Sequence, residues 1–537
     1  MKLMKRLFLG LCVLCLAFVV TACPAGAEGE AGSIFRVTQA IMPRWDPAVG
    51  SDYASGLVLI NVYDSLVFPT PDGGVRPWVA ESWNISEDGL IWDFKIREDI
   101  VFHSGNRLTA QDVVYSMQRL LGIGEGFAFL FYSYVDSIEA TGDYSVRLRC
   151  KTPYGPLLNS LVRFYVVDRK LLEQHYAAAG DYGDKGDWGR AYLLEHDAGS
   201  GPWTIDGVST NISVSGSIFR GYWAGFEAGV PEKFIVYASN EAVRVKTMMS
   251  RQELECADHY QTTENIQSML DADNTLKLAH NYTGGGLNLW LNNQKAPVDD
   301  PKIREALGYL IDYATLCSKI LPDSIQKKSI VSSNALGYKE VFSFSMDFEK
   351  AKQAVAGSRY ADRIGTLPIE LVWNSESADR EKVALMIQAT ASQIGLNVSI
   401  VELPWSTIVS NSARVETSPM TAMVSVTPPT SDSASQFVSQ LRTKTSGTWE
   451  NMNWVNDPAL DEMIDKALAT VDIAKRAVAY SEIQEYCAKR FTFIPLTETP
   501  ERLVYQASYV DLAPKIGLQG FSFYLRDVRV YPDRRKK

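Results

Sequence analysis

The residues that most often carry metal or acid–base chemistry are few and scattered in this sequence. Its histidines stand far apart, at positions 103, 175, 196, 259 and 280. No two of them have the close spacing that helical or hairpin metal sites use, and no cysteine cluster accompanies them. The sequence contains no phosphate-binding P-loop and no G-x-S-x-G nucleophile turn. We therefore predict no resident metal and no cofactor.

One set of motifs resembles those of a serine acyl-enzyme of the penicillin-binding class. Ser324 to Lys327 fits S-x-x-K, residues 431–433 approach S-D-N, and residues 444–447 approach K-T-G. Only the first motif matches outright, and the other two are crowded together, whereas that fold spreads them over distant elements. We keep the acyl-enzyme as a remote alternative. The lack of a nucleophile–base constellation favours a binding protein over an enzyme.

A cysteine, Cys23, follows an N-terminus with the layout of a secretory signal. Three basic residues precede an apolar run over 7–20, which is too short to span a bilayer comfortably. Residues 20–23, Val-Thr-Ala-Cys, resemble a bacterial lipobox, in which the cysteine becomes the lipidated first residue of the mature chain. An incidental cysteine beside an ordinary cleavage site is the alternative. We predict a lipoprotein signal peptide over 1–22 and a flexible tether over 23–32.

Beyond this segment the composition is that of an acidic, well-packed globular protein. Residues 1–22 hold three basic residues and no acidic one, so without them the net charge of −10 becomes −13. Such a charge argues against nucleic acid as a partner. The remaining chain exceeds one hydrophobic core, so two or three domains are expected. Local patterns favour single buried thiols over disulfides for the other cysteines of that chain, which are Cys150, Cys256, Cys317 and Cys487.

Several local patterns predict elements of secondary structure. The pair Asp88-Gly89 marks the turn of an antiparallel hairpin. Thr109 is predicted to cap a helix, with an acidic residue three positions on. Residues 299–321 are predicted to form one helix, which Asp300 caps and the following proline opens.

The most diagnostic unit runs from 367 to 403 as a strand, an amphipathic helix and a second strand. This order predicts a piece of parallel sheet. In open α/β sheets, ligands gather at the carboxyl ends of the strands. Trp373 and Asn374 stand at the first such end, and Trp405 stands just past the second. We expect these side chains to line a pocket, although core packing is the commoner fate of a tryptophan.

By these elements the chain resembles the large solute-binding proteins of bacterial ABC importers, in the dipeptide, oligopeptide and nickel-binding family. The similar stretches occur in the family's order from about residue 33 to residue 500. They are "PWVAESWNISEDGLIWDFKIREDIVFHSGNRLTAQDVVYSMQR", "GSGPW", "LNNQKAPVDDPKIREALGYLID", "MIQATASQIGLNVSI" and "YSEIQEYCAKRFTFIPL". The first is long and distinctive.

The resemblance implies an α/β protein with a two-lobe, periplasmic-binding-protein-like fold (type II, cluster C-like) and an extra α+β domain in lobe I. Lobe I would comprise residues 33–58, 200–283 and 500–537, with the inserted domain at 59–199 and lobe II at 284–499. A ligand would contact both lobes and draw them closed, and a permease would recognise the closed form.

The same resemblance implies an extracytoplasmic, lipid-anchored, monomeric protein of the bacterial cell envelope, on the periplasmic side or the cell surface. It would not be an enzyme, and it would deliver a small solute to the permease subunits of an ABC importer. A peptide is the favoured ligand. An oligosaccharide or a metal chelate is the alternative, as is a ligand-sensing role on the same scaffold.

In peptide-binding relatives, an aspartate anchors the α-ammonium of the ligand. Alignment on Phe437 puts Thr430 at that position, with Asp432 two residues later. A threonine cannot neutralise an ammonium. Either Asp432 does so from a shifted loop, or the ligand has no free amino terminus. Tyr282 joins the candidate pocket residues, although packing at the crossover between lobes is its alternative role.

Overall fold

The computed structural model describes residues 33–71, 73–178, 180–377, 379–512 and 523–535. The predicted signal peptide, the tether and Cys23 lie outside these residues and stay predictions. No helix in the described part of the chain is long and apolar enough to cross a membrane.

Residues 33–199 form short helices and strands around one long helix. In chain order these elements are β1 (Ile34–Gln39), α1 (Tyr53–Val62), β2 (Val67–Pro69), β3 (Val75–Pro77), β4 (Ala80–Ile85), β5 (Ile91–Ile96), α2 (Ala110–Ile123), β6 (Val135–Gly142), β7 (Ser145–Cys150), α3 (Leu157–Ser160) and α4 (Arg169–Glu173). Residues 200–283 add β8 (Trp203–Ser209), β9 (Ser213–Ile218), β10 (Lys233–Ala238), α5 (Ala242–Ser250), α6 (Thr263–Ala272) and β11 (Leu276–Asn281).

The rest of the chain is richer in helix. Its elements are β12 (Gly286–Leu291), α7 (Pro301–Tyr309), α8 (Tyr313–Thr315), β13 (Ile325–Gln326), α9 (Phe348–Ala356), β14 (Ile369–Asn374), α10 (Asp379–Ser392), β15 (Val398–Leu403), α11 (Trp405–Asn411), β16 (Thr421–Val426), α12 (Ala434–Leu441), α13 (Pro458–Ala469), α14 (Ile473–Ala488), β17 (Phe493–Glu498), β18 (Glu501–Gln506), β19 (Val510–Asp511) and β20 (Arg529–Val530).

The described strands form three larger sheets. The described strands pair in the orders β1-β10-β9-β8, β4-β5-β7-β6 and β13-β17-β12-β16-β14-β15. The first sheet uses residues before 59 and after 199, the second lies within 59–199, and the third lies within 284–499. The predicted limit after residue 58 falls inside α1, and the other limits stay predictions.

The hairpin and the βαβ unit are confirmed. β4 and β5 pair antiparallel around Gly89, whose φ of +70° suits glycine. β14 runs parallel to β15, with α10 between them, and β14 also runs parallel to β16. Thr109 is the N-cap of α2, and its backbone N–H donates to the Asp112 carboxylate at 2.8 Å. Local sequence signals fix each of these features.

The single helix predicted over 299–321 is wrong. Asp300 caps α7 as expected and accepts a hydrogen bond from the Lys302 N–H at 2.8 Å. The helix nevertheless ends at Tyr309, because Asp312 caps a new turn. Its carboxylate accepts hydrogen bonds from the Thr315 N–H at 3.0 Å and from the Thr315 hydroxyl at 2.7 Å.

The cysteines of the described residues are free thiols, as predicted. Cys150, Cys256 and Cys487 are buried, and Cys317 is half-buried. Burial raises the pKa of Cys150 and of Cys487 to about 12. These thiols therefore pack as small apolar groups.

Two paired strands carry the chain between the first and third sheets. β11 and β18 pair antiparallel from Leu276 opposite Gln506 to Asn281 opposite Glu501. β11 leads toward the third sheet and β18 leads away from it. The glycine run 284–286 follows two residues after the end of β11. The two chain crossings therefore lie side by side in one ladder.

Asp64 ties residues 59–199 to the segment around the first sheet. Its buried carboxylate accepts hydrogen bonds from the indole N–H of Trp78 at 2.8 Å and the hydroxyl of Ser200 at 2.9 Å. It also accepts from the hydroxyl of Tyr222 at 3.0 Å and the indole N–H of Trp223 at 3.2 Å. One carboxylate thus satisfies four donors from two parts of the chain.

We expect Asp64→Ala to lower the free energy of unfolding by about 3 kcal/mol, because buried donors lose their acceptor. Urea denaturation followed by tryptophan fluorescence measures this change. Asp136→Ala, at an exposed position of β6, is the control and should leave the denaturation midpoint unchanged. A loss below about 1 kcal/mol in Asp64→Ala would contradict the proposed role of the carboxylate.

Candidate functional site

Polar and aromatic side chains collect where the parallel strands of the third sheet end. β14 runs parallel to β15 and to β16, so the carboxyl ends of all three share one edge. Asn374 ends β14, Trp405 opens α11 just after β15, and Ser425 lies near the end of β16. We call these residues, together with Arg380, the lobe II edge.

Arg380 lies in the first turn of α10, at the centre of this edge. Its Nη1 donates to the side-chain oxygen of Asn374, and its Nη2 donates to the Ser425 hydroxyl at 2.9 Å. Among the described residues it forms no ion pair with a carboxylate. Burial lowers the pKa of Arg380 to about 10. The sequence analysis did not identify Arg380 as a site residue. The available signal was a basic residue in the first turn of the helix that follows a parallel strand.

A second edge faces Arg380 from the segment that follows the first sheet. The Asp258 carboxylate accepts hydrogen bonds from the Thr38 hydroxyl at 2.6 Å, the Tyr260 N–H at 2.8 Å and the Gln261 side chain at 2.9 Å. These bonds clamp the loop to the end of β1. The Tyr260 hydroxyl lies within electrostatic range of the Arg380 guanidinium.

Tyr53 and His259 lie beside Tyr260, and we call the three residues the lobe I edge. The rings of Tyr53 and His259 meet edge to face with centroids 4.7 Å apart, and those of His259 and Tyr260 are 4.0 Å apart. In the described structure the Tyr53 hydroxyl and His259 Nδ1 are buried without a hydrogen-bond partner. Buried polar atoms normally have partners. A bound molecule between the edges could supply them.

Direct contacts connect the third sheet's segment to both other parts of the chain. Lys382 of α10 forms an ion pair with Glu264 of α6, with Nζ and Oε1 2.9 Å apart. Elsewhere, Arg163 Nε donates to the Pro429 carbonyl at 2.7 Å. The lobe I edge and the lobe II edge are therefore held close to each other.

Asp432, one of the predicted site residues, is only 1% exposed and is already paired. Its Oδ2 accepts hydrogen bonds from Arg476 Nε at 3.3 Å and Nη2 at 3.2 Å. Its Oδ1 accepts from the Tyr480 hydroxyl at 2.6 Å and the Ala434 N–H at 3.0 Å. This pairing argues against Asp432 as an ammonium anchor, because ligand binding there would break a buried ion pair.

The other predicted residues differ widely in exposure. Thr430 is 5% exposed, and its hydroxyl lies 3.4 Å from the Ser435 hydroxyl. Trp373 is 5% exposed within the core, whereas Tyr282 is 49% exposed. Trp405 is half-buried and meets Trp449 edge to face, with ring centroids 5.5 Å apart. The ligand-binding role of these residues, and of the buried Asn374, stays a prediction.

The S-x-x-K motif forms no nucleophile–base pair in the described contacts. The Ser324 hydroxyl donates to the Thr499 hydroxyl at 3.2 Å, and Lys327 Nζ donates to a buried asparagine at 3.2 Å. Ser431, which begins the second motif, donates to a backbone carbonyl within residues 59–199. These contacts give the acyl-enzyme alternative no support.

A sequence model described as bacterial extracellular solute-binding proteins, family 5 middle, matches residues 74–449. The chain is 24% identical over 492 residues to the probable D,D-dipeptide-binding periplasmic protein DdpA of Escherichia coli K12, and the match covers 89% of each chain. It is 24% identical over 477 residues to the nickel-binding periplasmic protein of the same organism, which covers 81% of this chain and 83% of that protein.

A solved structure shows the same fold. The dipeptide-binding protein from Pseudoalteromonas sp. SM9913, in complex with Met-Leu, matches with a TM-score of 0.77 at 18% identity. The match covers 93% of this chain and 100% of that chain. The predicted two-lobe α/β fold is confirmed.

The neutral state of His259 makes a testable contribution to stability. Burial lowers the pKa of His259 to about 4, below the ordinary value near 6.5. As the pH falls from 7 to 5 the unfolded chain therefore takes up a proton first, and stability is lost. We expect His259→Asn to lose about 1 to 2 kcal/mol less over this range than the native chain, measured by urea denaturation at each pH.

His103→Asn is the control variant, in which the change in acid sensitivity should have the opposite sign. Burial alone would lower the pKa of His103, but the Asp197 carboxylate, 2.5 Å from Nδ1, raises it overall. Protonated His103 stabilises the fold at low pH, and this stability is lost as the pH rises through its folded pKa. His103→Asn should therefore make the chain more sensitive to acid. An unchanged acid sensitivity in His259→Asn would contradict the assignment.

Proposed function

This chain belongs to the bacterial extracellular solute-binding proteins of family 5, and on that premise we propose that it captures a peptide and delivers it to the permease of an ABC importer. The observation that carries the proposal is the pair of facing edges with buried polar atoms that lack partners. The peptide class is supported by the names of two similar proteins, one D,D-dipeptide-binding and one solved with Met-Leu.

The proposed mechanism is hinge closure. Residues 33–58, 200–283 and 500–537 would form lobe I, with the inserted domain at 59–199, and residues 284–499 would form lobe II. A ligand that touches both edges binds the closed form more tightly than the open form, so it shifts the population toward closure. The ladder of β11 and β18 would be the part that bends, since both chain crossings pass through it.

In the role that we propose, this protein is a monomeric receptor that works outside the cytoplasmic membrane. It binds its ligand without changing it chemically. Lipidation of Cys23 would hold it to a membrane, and the tether at 23–32 would let it reach the permease. A two-lobe receptor of this kind uses binding energy for closure rather than for chemistry.

A second candidate ligand class is a metal chelate. The nickel-binding relative supports it, because it matches 81% of the chain at the same 24% identity as the D,D-dipeptide-binding relative. We favour a peptide over a metal chelate as the ligand because the lobe II edge offers hydrogen-bonding and aromatic side chains. In the described residues, no cluster of three or more histidine, cysteine or acidic side chains could hold a bare ion.

We expect the purified chain to retain members of a random library of dipeptides to pentapeptides, and to return them unchanged. Mass spectrometry identifies what is retained, and calorimetry on the enriched sequences should give a single-site isotherm. Nickel–histidine complexes and maltooligosaccharides are the comparison ligands. Binding of one of these without any peptide would overturn the peptide proposal, and recovery of cleaved peptides would overturn the role as a pure receptor.

Trp405→Ala should weaken peptide binding about tenfold, or ~1.4 kcal/mol, while the melting temperature of the ligand-free protein stays nearly unchanged. The reason is that the half-buried Trp405 ring lies at the lobe II edge. Trp373→Ala is the matched control, and its loss from the core should cost about 3 kcal/mol of stability. Equal losses of binding and stability in Trp405→Ala would identify Trp405 as a core residue.

A further inference from the structure

The charged side chain among the residues that define the two edges is Arg380, and no described carboxylate forms an ion pair with its guanidinium. We infer that this site anchors its ligand by a carboxylate, held between Arg380 of the lobe II edge and the lobe I edge, and that it needs no free ammonium. The inference rests on the proposed function and narrows it to a ligand class, namely peptides with an accessible carboxylate whose amino terminus can be blocked.

The first argument is the environment of the Arg380 guanidinium. The groups that accept its hydrogen bonds are the Asn374 side chain, the Ser425 hydroxyl at 2.9 Å and the Met423 carbonyl at 3.4 Å. All three are neutral. Arg380 is half-buried. A guanidinium partly removed from water without a directly bound counter-charge is costly, whereas a carboxylate can meet its planar fork with two hydrogen bonds. A ligand carboxylate would supply the missing charge.

The second argument is that the carboxylates around Arg380 are engaged elsewhere. Glu376 accepts a hydrogen bond from the Trp405 N–H at 3.0 Å. Lys382 forms ion pairs with Asp379 at 3.0 Å and with Glu264 at 2.9 Å. No ion pair between any of these carboxylates and Arg380 is present in the described residues. Glu376 lies within electrostatic range of Arg380 and offsets its positive charge in part, but the guanidinium has no directly bound counter-charge.

The third argument comes from the lobe I edge. The Tyr53 hydroxyl and His259 Nδ1 are buried and unpaired within the described chain. A tyrosine hydroxyl can donate a hydrogen bond, and so can a neutral imidazole with its proton on Nδ1. The Tyr260 ring contacts the His259 ring, and the Tyr260 hydroxyl lies within electrostatic range of Arg380. The two edges together offer donors from both lobes, which is the arrangement that a carboxylate requires.

The fourth argument concerns the opposite charge. An ammonium needs a carboxylate partner in a buried site. The aligned position is Thr430, which is neutral, and the nearby Asp432 carboxylate is occupied by Arg476 and Tyr480. A ligand ammonium would therefore find no free carboxylate at either of these two positions, whereas a ligand carboxylate would find a cation at Arg380.

The test uses the full chain and one random peptide library in four forms. The amino terminus is free or acetylated, and the carboxyl terminus is free or amidated. We expect acetylation to change the dissociation constants of retained sequences by less than about threefold, and amidation to weaken binding about thirtyfold. If amidated peptides are retained only when they contain Asp or Glu, the anchored carboxylate belongs to a side chain, which also supports the inference.

Arg380→Gln should abolish the difference between acid and amide forms, because the acid forms lose their anchor and bind no more tightly than the amides. Lys382→Met is the matched control, because it removes a cation from the same helical turn whose charge is already paired, and it should keep the difference. Melting temperatures show whether each variant folds, and Arg380→Lys, which retains a positive charge, should restore part of the difference.

Equal binding of acid and amide forms by the native chain would overturn the inference while the peptide proposal stands. Acetylated peptides that fail to bind, while free-amine peptides bind, would overturn it as well. If no peptide of any form binds, the proposed function fails, and the inference that depends on it fails with it.

Discussion

The chain passes between the first and third sheets twice, and both passages lie in one antiparallel ladder of β11 with β18. This arrangement constrains how the two lobes can move, since any relative motion must bend the ladder or its flanks. Glu501, at the end of the ladder, is buried and accepts a hydrogen bond from the Asn281 side chain at 2.8 Å. Burial raises the pKa of Glu501 well above its ordinary range. A short, internally bonded ladder permits rotation about one region and resists separation of the lobes.

Given that constraint, the positions of the charged side chains decide what the space between the lobes can hold. Asp258 and Asp432 are both paired within the protein. Asp258 fixes the loop that carries His259 and Tyr260, and Asp432 holds α14 through Arg476. Both carboxylates therefore serve the fold, whereas the Arg380 guanidinium forms no ion pair among the described residues, which is why we propose it as the group that selects the charge of the ligand.

Much of the fold could be predicted because its signals are local. The Asp88-Gly89 hairpin, the cap at Thr109 and the βαβ unit each depend on residues within one or two turns of chain. The break between α7 and α8 was missed, although Asp312 gives a local signal, because the apolar stripe continues across it. The family resemblance gave the two-lobe arrangement, which no local pattern contains.

The candidate site was less predictable, because its decisive contacts join distant residues. The partners of Asp432 lie 44 and 48 positions away in the chain, so no sequence window shows that the carboxylate is occupied. Tyr53 and His259 lie far apart in the sequence and meet only in the folded structure. The buried thiols have a consequence of another kind. With a pKa of about 12, only about one in 10⁵ of the Cys150 or Cys487 side chains is a thiolate at neutral pH. They are thus poor substrates for oxidants and oxidoreductases, so an oxidising compartment would leave these two thiols without cross-links.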